Sequence, residues 1–576
     1  MSHSVKRLER RIKSATGIDV TGEVVAGSIR LTGETDCYDA VVKAGQIAAK
    51  SRYAQVINDI AHHDPRYPVM PVHTVQKQEG NLATCDVLVI GAGIIGSAIS
   101  RELSKYELAV VMADKAYDVA VHTSSRNDGM VHPGIASKWN SLKTKMNVRG
   151  NALYHKVSEE LEVPIRWCGS SILFRSHLSK VIYPLFWIKA KVIGMPGLRY
   201  MNKRAVYEAE PYLSEGVVWG VMCESAGVTS PYKMTVAYAE NAIKNGVKLM
   251  LHTEVVSMAV RNEEITEVHT DKGTIRAKLV INAAGVYSDC IAGMAGDRFF
   301  SIHPRKGDIV LFDKKKGKYV QGILGFIGDR SSQHTKGGGV IKTYEGNILV
   351  GPNAIEIPYR ENYQTRREDV MQLLRQKLPQ IKGVDVKDDI TYFTGIRAAT
   401  YKEDFIIEAS KKVKNLIHVA GIQSPGFAAA PAIAERVEEL VKSHFQNDAS
   451  PLRRKTNWEP KRKGIPDVAH LTYEAREALI RENPDYGEVI CRCEEISKGE
   501  IIDALKGPIP ITSTDAVKRR VRAGMGRCQG GFCMPLVMEI IHDVNGIAME
   551  DITKKEGASR IAVAQTKGDR IHESSV

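Results

Sequence analysis

A chain of 576 residues is too long for one hydrophobic core, and about 100 to 200 residues per domain divides it into three or four units. Its formal charge of +13 comes in short runs, "KKKGK" (314–318), "RRK" (453–455) and "KRRVR" (518–522), which read as solvated faces. No basic stripe with stacking aromatics accompanies them, which excludes nucleic acid as a partner and leaves an anionic substrate or an acidic protein, while nine mostly scattered cysteines exclude a disulfide scaffold and point to a reducing cytoplasm.

The opening "MSHSVKRLERRIKSATG" is charged and lacks the apolar segment of a secretory signal. Residues 23–60 alternate as a strand, turn at Thr32-Gly33, run as an amphipathic helix and return to a strand. This small α/β module, residues 1–63, resembles a BON-type domain, which implies binding rather than chemistry. Residues 64–83, with Pro65, Pro68 and Pro71, read as a linker.

From residue 84, "CDVLVIGAGIIGSAISRELSKYELAVVMADK" predicts a buried strand, a glycine turn, a helix and a second strand ending at Asp114. Gly91, Gly93 and Gly96 form GxGxxG in the context that gives the motif meaning: a tight turn, close backbone approach to a pyrophosphate, and close helix packing. The helix N-terminus offers N–H groups to that pyrophosphate, and Asp114 is placed for an adenosine ribose. The apolar stretch 87–99 is too short to cross a bilayer. A second one, "VIYPLFWIKAKVIGM" from Val181, is broken by Lys189 and Lys191, and we expect it to be packed rather than to lie on the surface. No segment is expected to span a membrane, and peripheral contact at the inner membrane face stays open.

Further along, "VINAAGVYSD" (280–289) and "NLIHVAGIQSPGFAAAPAIAERVEELV" (415–441) each carry a strand into a small-residue turn, the second opening a long helix whose N-terminus suits negative charge on a reduced flavin. With "TSSRNDGMVHPGI" (123–135), these segments resemble the FAD-dependent oxidoreductases of the D-amino-acid oxidase superfamily over residues 86–441. The resemblance implies an α/β fold: a Rossmann-like FAD lobe of glutathione-reductase type and an antiparallel-sheet substrate lobe, from about 161–227 and 301–390, within an oxidoreductase domain of residues 84–447. It implies cofactor contacts from Gly91, Gly93, Gly96, Asp114, Ser124, Arg126, Ala284, Gly285, Gly421, Ser424 and Gly426.

After a linker (448–483), Cys491 and Cys493, then Cys528 and Cys533, set four thiolates in two pairs among Arg, Glu, Gln and Gly, a set that suits one zinc or two irons. Spacing alone does not choose the metal. The pattern resembles the bacterioferritin-associated-ferredoxin type of [2Fe-2S] domain, which implies a small helical iron–sulfur domain over 484–550, a tail over 551–576, and Arg492, Arg519, Arg520, Arg522 and Arg527 offsetting cluster charge. A flavin beside a one-electron carrier, with no second strand-GxGxxG-helix unit, leads us to expect a dehydrogenase passing electrons to a partner flavoprotein or iron–sulfur subunit.

From residue 84 onward the chain is similar to the anaerobic glycerol-3-phosphate dehydrogenase group and, through "HPGIASKWNSLKTKMNVRGN", to L-2-hydroxyglutarate dehydrogenases. Both imply hydride transfer from a small anionic secondary alcohol, with Arg397 of "GIRAA" gripping the anion, His132 of "MVHPG" as general base, and Arg305 and Lys306 near the ring or substrate. An amine or amino acid as substrate, and an electron-transfer scaffold with a vestigial FAD site, remain open alternatives.

Overall fold

The computed structural model describes residues 3–68, 75–327, 338–446 and 452–564, and divides into two compact units, 1–462 and 463–576. The first unit opens with helix His3–Thr16, strands Val20–Val25 and Ser28–Thr35, helix Tyr38–Ala49 and strand Val56–His62, the strands forming one sheet. Val25 faces Ser28 across a two-residue turn at Ala26 (φ 47°) and Gly27 (φ 78°). Two consecutive positive φ values match the right-handed twist of a hairpin. The turn expected at Thr32-Gly33 instead lies within the second strand, where both residues pair with Val56–His62.

This module shares its core with the rest of the unit: Tyr38, Val41, Val42 and Ala44 bury against Phe300, Ile396, Tyr401 and Ile406. A Cβ at Gly45 would stand 2.2 Å from the Tyr401 ring, so a larger residue would push the two apart. Asn58 Nδ2 donates to Tyr401 Oη at 2.8 Å, Tyr38 Oη donates to the Ile357 carbonyl at 2.9 Å, and Arg298 pairs with Asp59 at 2.9 Å.

The next sheet starts at Asn81, inside the segment expected to link the modules. Five parallel strands run in the order Lys248–Met250, Val110–Ala113, Asn81–Ile90, Gly273–Asn282, Leu416–Ala420. Their apolar runs, such as Val87 to Ile90, are buried because helices cover a parallel sheet. Helix Ile94–Leu103 packs against Pro231–Lys244 and Gly426–Phe445, the latter also against Leu142–Leu161. A nine-stranded sheet makes the second lobe, dominated by the long antiparallel pair Ile302–Phe312 and Asp389–Thr400. Only Ile323–Ile327 with Ser170–Phe174 pairs in parallel among its described strands.

Helix Tyr183–Ile193 departs from expectation. It packs through one face, Ala190 buried, Tyr183 edge-on to Tyr200 and Phe186 edge-on to Phe174, and its other apolar face stands in solvent. No described helix is long and apolar enough to cross a membrane.

Residues 453–462, within the expected second linker, run along the first unit: Trp458 Nε1 donates to Ser104 Oγ at 3.1 Å and Arg462 Nε to Glu240 at 2.5 Å. The second unit holds helix Tyr473–Glu482, the short hairpin Val489–Cys491 with Ile496–Ser497, and helices Lys498–Leu505, Thr514–Val521 and Met534–Asn545 around a core of Ile490, Ile501, Val517, Val537 and Ile541. The run 518–522 is not the solvated face its composition suggests. Arg519, Arg520 and Arg522 are buried, and Arg522 Nε donates to buried Glu494 at 2.9 Å, a counter-charge that the run itself does not contain.

Candidate active site

The glycine turn lies at the carboxyl edge of the parallel sheet. Gly91 (φ 111°) donates to the Ala113 carbonyl at 2.8 Å, and a Cβ there would sit 2.5 Å from the Ala283 carbonyl oxygen. A Cβ on Gly96 would stand 1.8 Å from the Gly91 carbonyl oxygen, so helix and turn meet as closely as glycine allows. Gly93 caps helix Ile94–Leu103, and Ser124 Oγ accepts from the Ile94 N–H at 2.9 Å. Asp114 accepts from the Ala92 N–H at 2.6 Å and the Ala116 N–H at 2.8 Å, tying the glycine turn to the second strand. Each of its carboxylate oxygens keeps a lone pair for a further donor.

Two other turns gather at this edge. Ala284 and Gly285 (φ 56°) follow strand Gly273–Asn282, and Gly421 (φ 67°) to Gly426 lead from Leu416–Ala420 into the N-terminus of helix Gly426–Phe445. Three adjacent strand ends and two helix N-termini thus lie along one edge of the sheet, an arrangement suited to a dinucleotide. Arg126 lies beside it, its guanidinium 4.1 Å from the Tyr363 ring centroid, while Nε donates to the Val121 carbonyl at 3.3 Å. Tyr363 Oη also meets His122 Nδ1 at 2.6 Å.

The long antiparallel pair supplies the charged cluster. Arg305 and Arg397 are cross-strand partners, and Arg305 also faces Glu356 across the neighbouring strand. Arg305 is buried, with Nε on Glu356 at 2.6 Å and Nη2 on Glu403 at 2.6 Å. Gln423 Nε2 donates to Glu403 at 2.6 Å, and the next residue, Ser424, meets His132 Nε2 at 3.4 Å. This chain connects His132 to the arginine pair. Arg397 donates to two backbone carbonyls, Asn353 at 3.0 Å and Lys306 at 3.4 Å, and to no carboxylate among the described residues. Burial, then the neighbouring Arg305 charge, bring its pKa down to about 10.

Lys306 is not brought into this cluster. Alternation along the strand turns it away from Arg305 and Arg397, and Nζ donates to the Gln364 carbonyl at 3.0 Å, with Asp308 and Asp369 each 3.7 Å away. Glu356, Glu403 and Gln423 were missed in the sequence. The one available signal was position: Gln423 immediately precedes Ser424, and Glu403 lies six residues beyond Arg397.

In the second unit Cys491 Sγ lies 4.0 Å from Cys493 Sγ, which lies 3.8 Å from Cys528 Sγ. Gly524 N–H points at Cys491 Sγ at 3.5 Å, and a Cβ on Gly526 would stand 2.5 Å from Cys493 Sγ, so glycine lets the backbone close over the sulfurs. Burial pushes the Cys528 thiol up, but backbone N–H groups of Phe532, Gly530 and Gly531 outweigh it and its pKa falls; that of Cys533 falls too, chiefly through the hydrogen bond with Cys491. Four sulfurs gathered by two short segments, two of them shifted toward thiolate, form a donor set that fits an all-cysteine iron or zinc site.

Residues 86–440 match the model of the FAD dependent oxidoreductase family, and residues 489–543 match that of the BFD-like [2Fe-2S] binding domain. The chain belongs to the FAD dependent oxidoreductase family. Glycerol 3-phosphate dehydrogenase from Caloramator mitchellensis is 37% identical, over 84% of this chain and 99% of that protein. Glycerol 3-phosphate oxidase from Mycoplasma genitalium is 26% identical over 66% of this chain and 98% of its own length. Among solved structures, dithionite-reduced L-α-glycerophosphate oxidase from Mycoplasma pneumoniae with FAD bound superposes with a TM-score of 0.60 at 24% identity, covering 66% of this chain and 98% of that one, a likeness of fold. The cofactors of this FAD dependent oxidoreductase are therefore FAD and a [2Fe-2S] cluster, and the residues matched by the iron–sulfur model, 489–543, contain all four cysteines. The iron–sulfur match decides between the two metals that spacing left open.

Proposed function

We propose that this oxidoreductase is a dehydrogenase that oxidises sn-glycerol 3-phosphate to dihydroxyacetone phosphate and passes the electrons through its cluster to a partner subunit. One observation carries the substrate class. Arg397 is a partly buried guanidinium whose pKa is depressed and whose described hydrogen-bond partners are backbone carbonyls alone, so an arriving phosphate dianion supplies the charge pairing that its surroundings withhold. The similarity to glycerol 3-phosphate dehydrogenase over nearly the whole of that protein supports phosphate as the anion.

Arg305, answered by Glu356 and Glu403, holds the strand and the Gln423 turn in register rather than meeting substrate itself. Converting a secondary alcohol to a ketone releases a proton and a hydride equivalent. His132 takes the proton at Nε2, which Ser424 orients. Bound along this sheet edge, FAD would supply the two-electron acceptor, and the cluster would carry single electrons onward.

The test is an anaerobic visible spectrum of the holoprotein before and after adding glycerol 3-phosphate, L-2-hydroxyglutarate or an amino-acid panel. Bleaching of the flavin band by glycerol 3-phosphate alone is the expected result. Bleaching by one of the others would reassign the substrate, and reduction only by a partner's electrons would reverse the direction of flow.

A further inference from the structure

One feature lies outside the reaction site. Along residues 178–192, Leu178, Val181, Leu185, Ile188 and Val192 recur at alternating spacings of three and four, which sets them on one side of a helical segment. They are between 42% and 84% exposed. The opposite side is held firmly: Ala190 is buried, Phe186 and Tyr183 lie edge-on to Phe174 and Tyr200, and Lys189 Nζ donates to the Ser137 carbonyl at 2.7 Å. The helix therefore cannot roll its apolar stripe inward. A contiguous exposed apolar stripe marks an interaction surface, since scattered exposed residues would need no explanation.

Charge selects the partner. Residues 163–207 contain eight Lys and Arg and no Asp or Glu. Arg199 and Arg204 are answered from outside by Glu224 and Glu208, while Lys180 and Lys191 sit on the exposed segment itself. Trp187, with Lys191 Nζ 5.6 Å from its ring centroid, and Trp139, on the loop that accepts from Lys189, are both about half exposed. An apolar stripe flanked by lysines and half-exposed tryptophans is the composition of a helix lying in the interface of a lipid bilayer. A second copy of the chain would set the same positive charges against themselves, which disfavours self-association through this face.

We propose that residues 178–192, with Trp139, form a peripheral docking surface for an anionic lipid bilayer. Leu185, Ile188 and Val192 enter the acyl boundary, and Lys180 and Lys191 meet anionic headgroups. The inference is independent of the substrate assignment.

The test uses the full-length holoprotein and sucrose-loaded vesicles, either phosphatidylcholine alone or doped with phosphatidylglycerol. At low salt the protein should pellet with the doped vesicles, and its tryptophan emission should shift to the blue. The triple variant Leu185→Ser, Ile188→Ser, Val192→Ser should weaken partitioning by about tenfold or more. Lys180→Glu with Lys191→Glu should abolish the preference for doped vesicles, as added salt should in the parent. Both variants change exposed side chains, and an unchanged FAD content and melting temperature would establish that they fold. Failure of the parent to pellet at low salt would overturn the proposal, as would equal partitioning of parent and folded variants. So would sedimentation velocity revealing a parent dimer that the serine variant dissociates, which would assign the face to a second copy.

Discussion

Arg397 can be picked out from "GIRAA", but the chemistry around it cannot. Cross-strand register sets Arg305 beside it and Glu356 beside Arg305, while Glu403 and Gln423 reach Arg305 and each other from the turns that follow two strands. The adjacent pair Arg305-Lys306 illustrates the difficulty: either can be argued from composition, and only the facing of the strand sends one to the arginine cluster and the other toward Asp308 and Asp369. If Arg397 makes a bidentate charged contact, Arg397→Lys should raise KM for glycerol 3-phosphate by about tenfold or more, roughly 1.5 to 3 kcal/mol, because an ammonium cannot reproduce the planar fork. An unaltered KM would remove it from the substrate site. Glu356 and Glu403 make a second test. Burial pushes both carboxyls up, yet the hydrogen bond from His303 at Glu356, and the Arg305 charge at Glu403, outweigh it and leave both below the ordinary value of 4.5. A depressed carboxylate pKa contributes stability that is complete above the unfolded value and is lost as pH falls through the folded one. The melting temperature should therefore decline below about pH 4.5, and Glu356→Gln should make that decline shallower.

Elements whose signals are local were the readable ones. The strand, glycine turn and helix from Asn81 to Leu103 follow from an apolar run and three glycines, and helix Gly426–Phe445 follows its small-residue turn. The N-terminal hairpin was misplaced because Thr32-Gly33 is the more turn-like pair by composition, whereas pairing with Val56–His62 holds it in a strand. More consequential is where that module sits. A tethered binding module would come away without loss, but this one seals the Tyr401 side of the second lobe, and Tyr401 stacks on His303, the partner of Glu356. Deleting residues 1–68 would expose Phe300, Ile396 and Tyr401 together. The truncated chain should be insoluble or melt several degrees lower, with a reduced FAD content, and a truncation that melts like the parent would reject this reading. Helix Tyr183–Ile193 shows the reverse case: an apolar segment expected to be packed is held by one face only.

Across the molecule, the two units have separate hydrophobic cores. Cys528→Ser should accordingly remove the iron–sulfur absorption and leave FAD bound, with flavin reduction by substrate intact. Loss of FAD in that variant would mean the units fold as one. The cysteine pairs stand out in the chain because each spans only a few residues, and the glycine motif because its three positions fall where a strand runs into a helix. Local spacing already dictated the dinucleotide-binding turn and the thiolate pairs, while the family followed from the resemblance of several separate segments. What required the folded chain was everything that depends on distant segments meeting: the Arg305–Glu356–Glu403–Gln423 linkage, the fusion of the N-terminal module to the second lobe, the burial of Arg519, Arg520 and Arg522 beside Glu494, and the exposed stripe from Leu178 to Val192. Side-chain charge and polarity are written in the sequence, but burial and partner identity are properties of contact, and contact between remote residues is set by sheet register and helix facing.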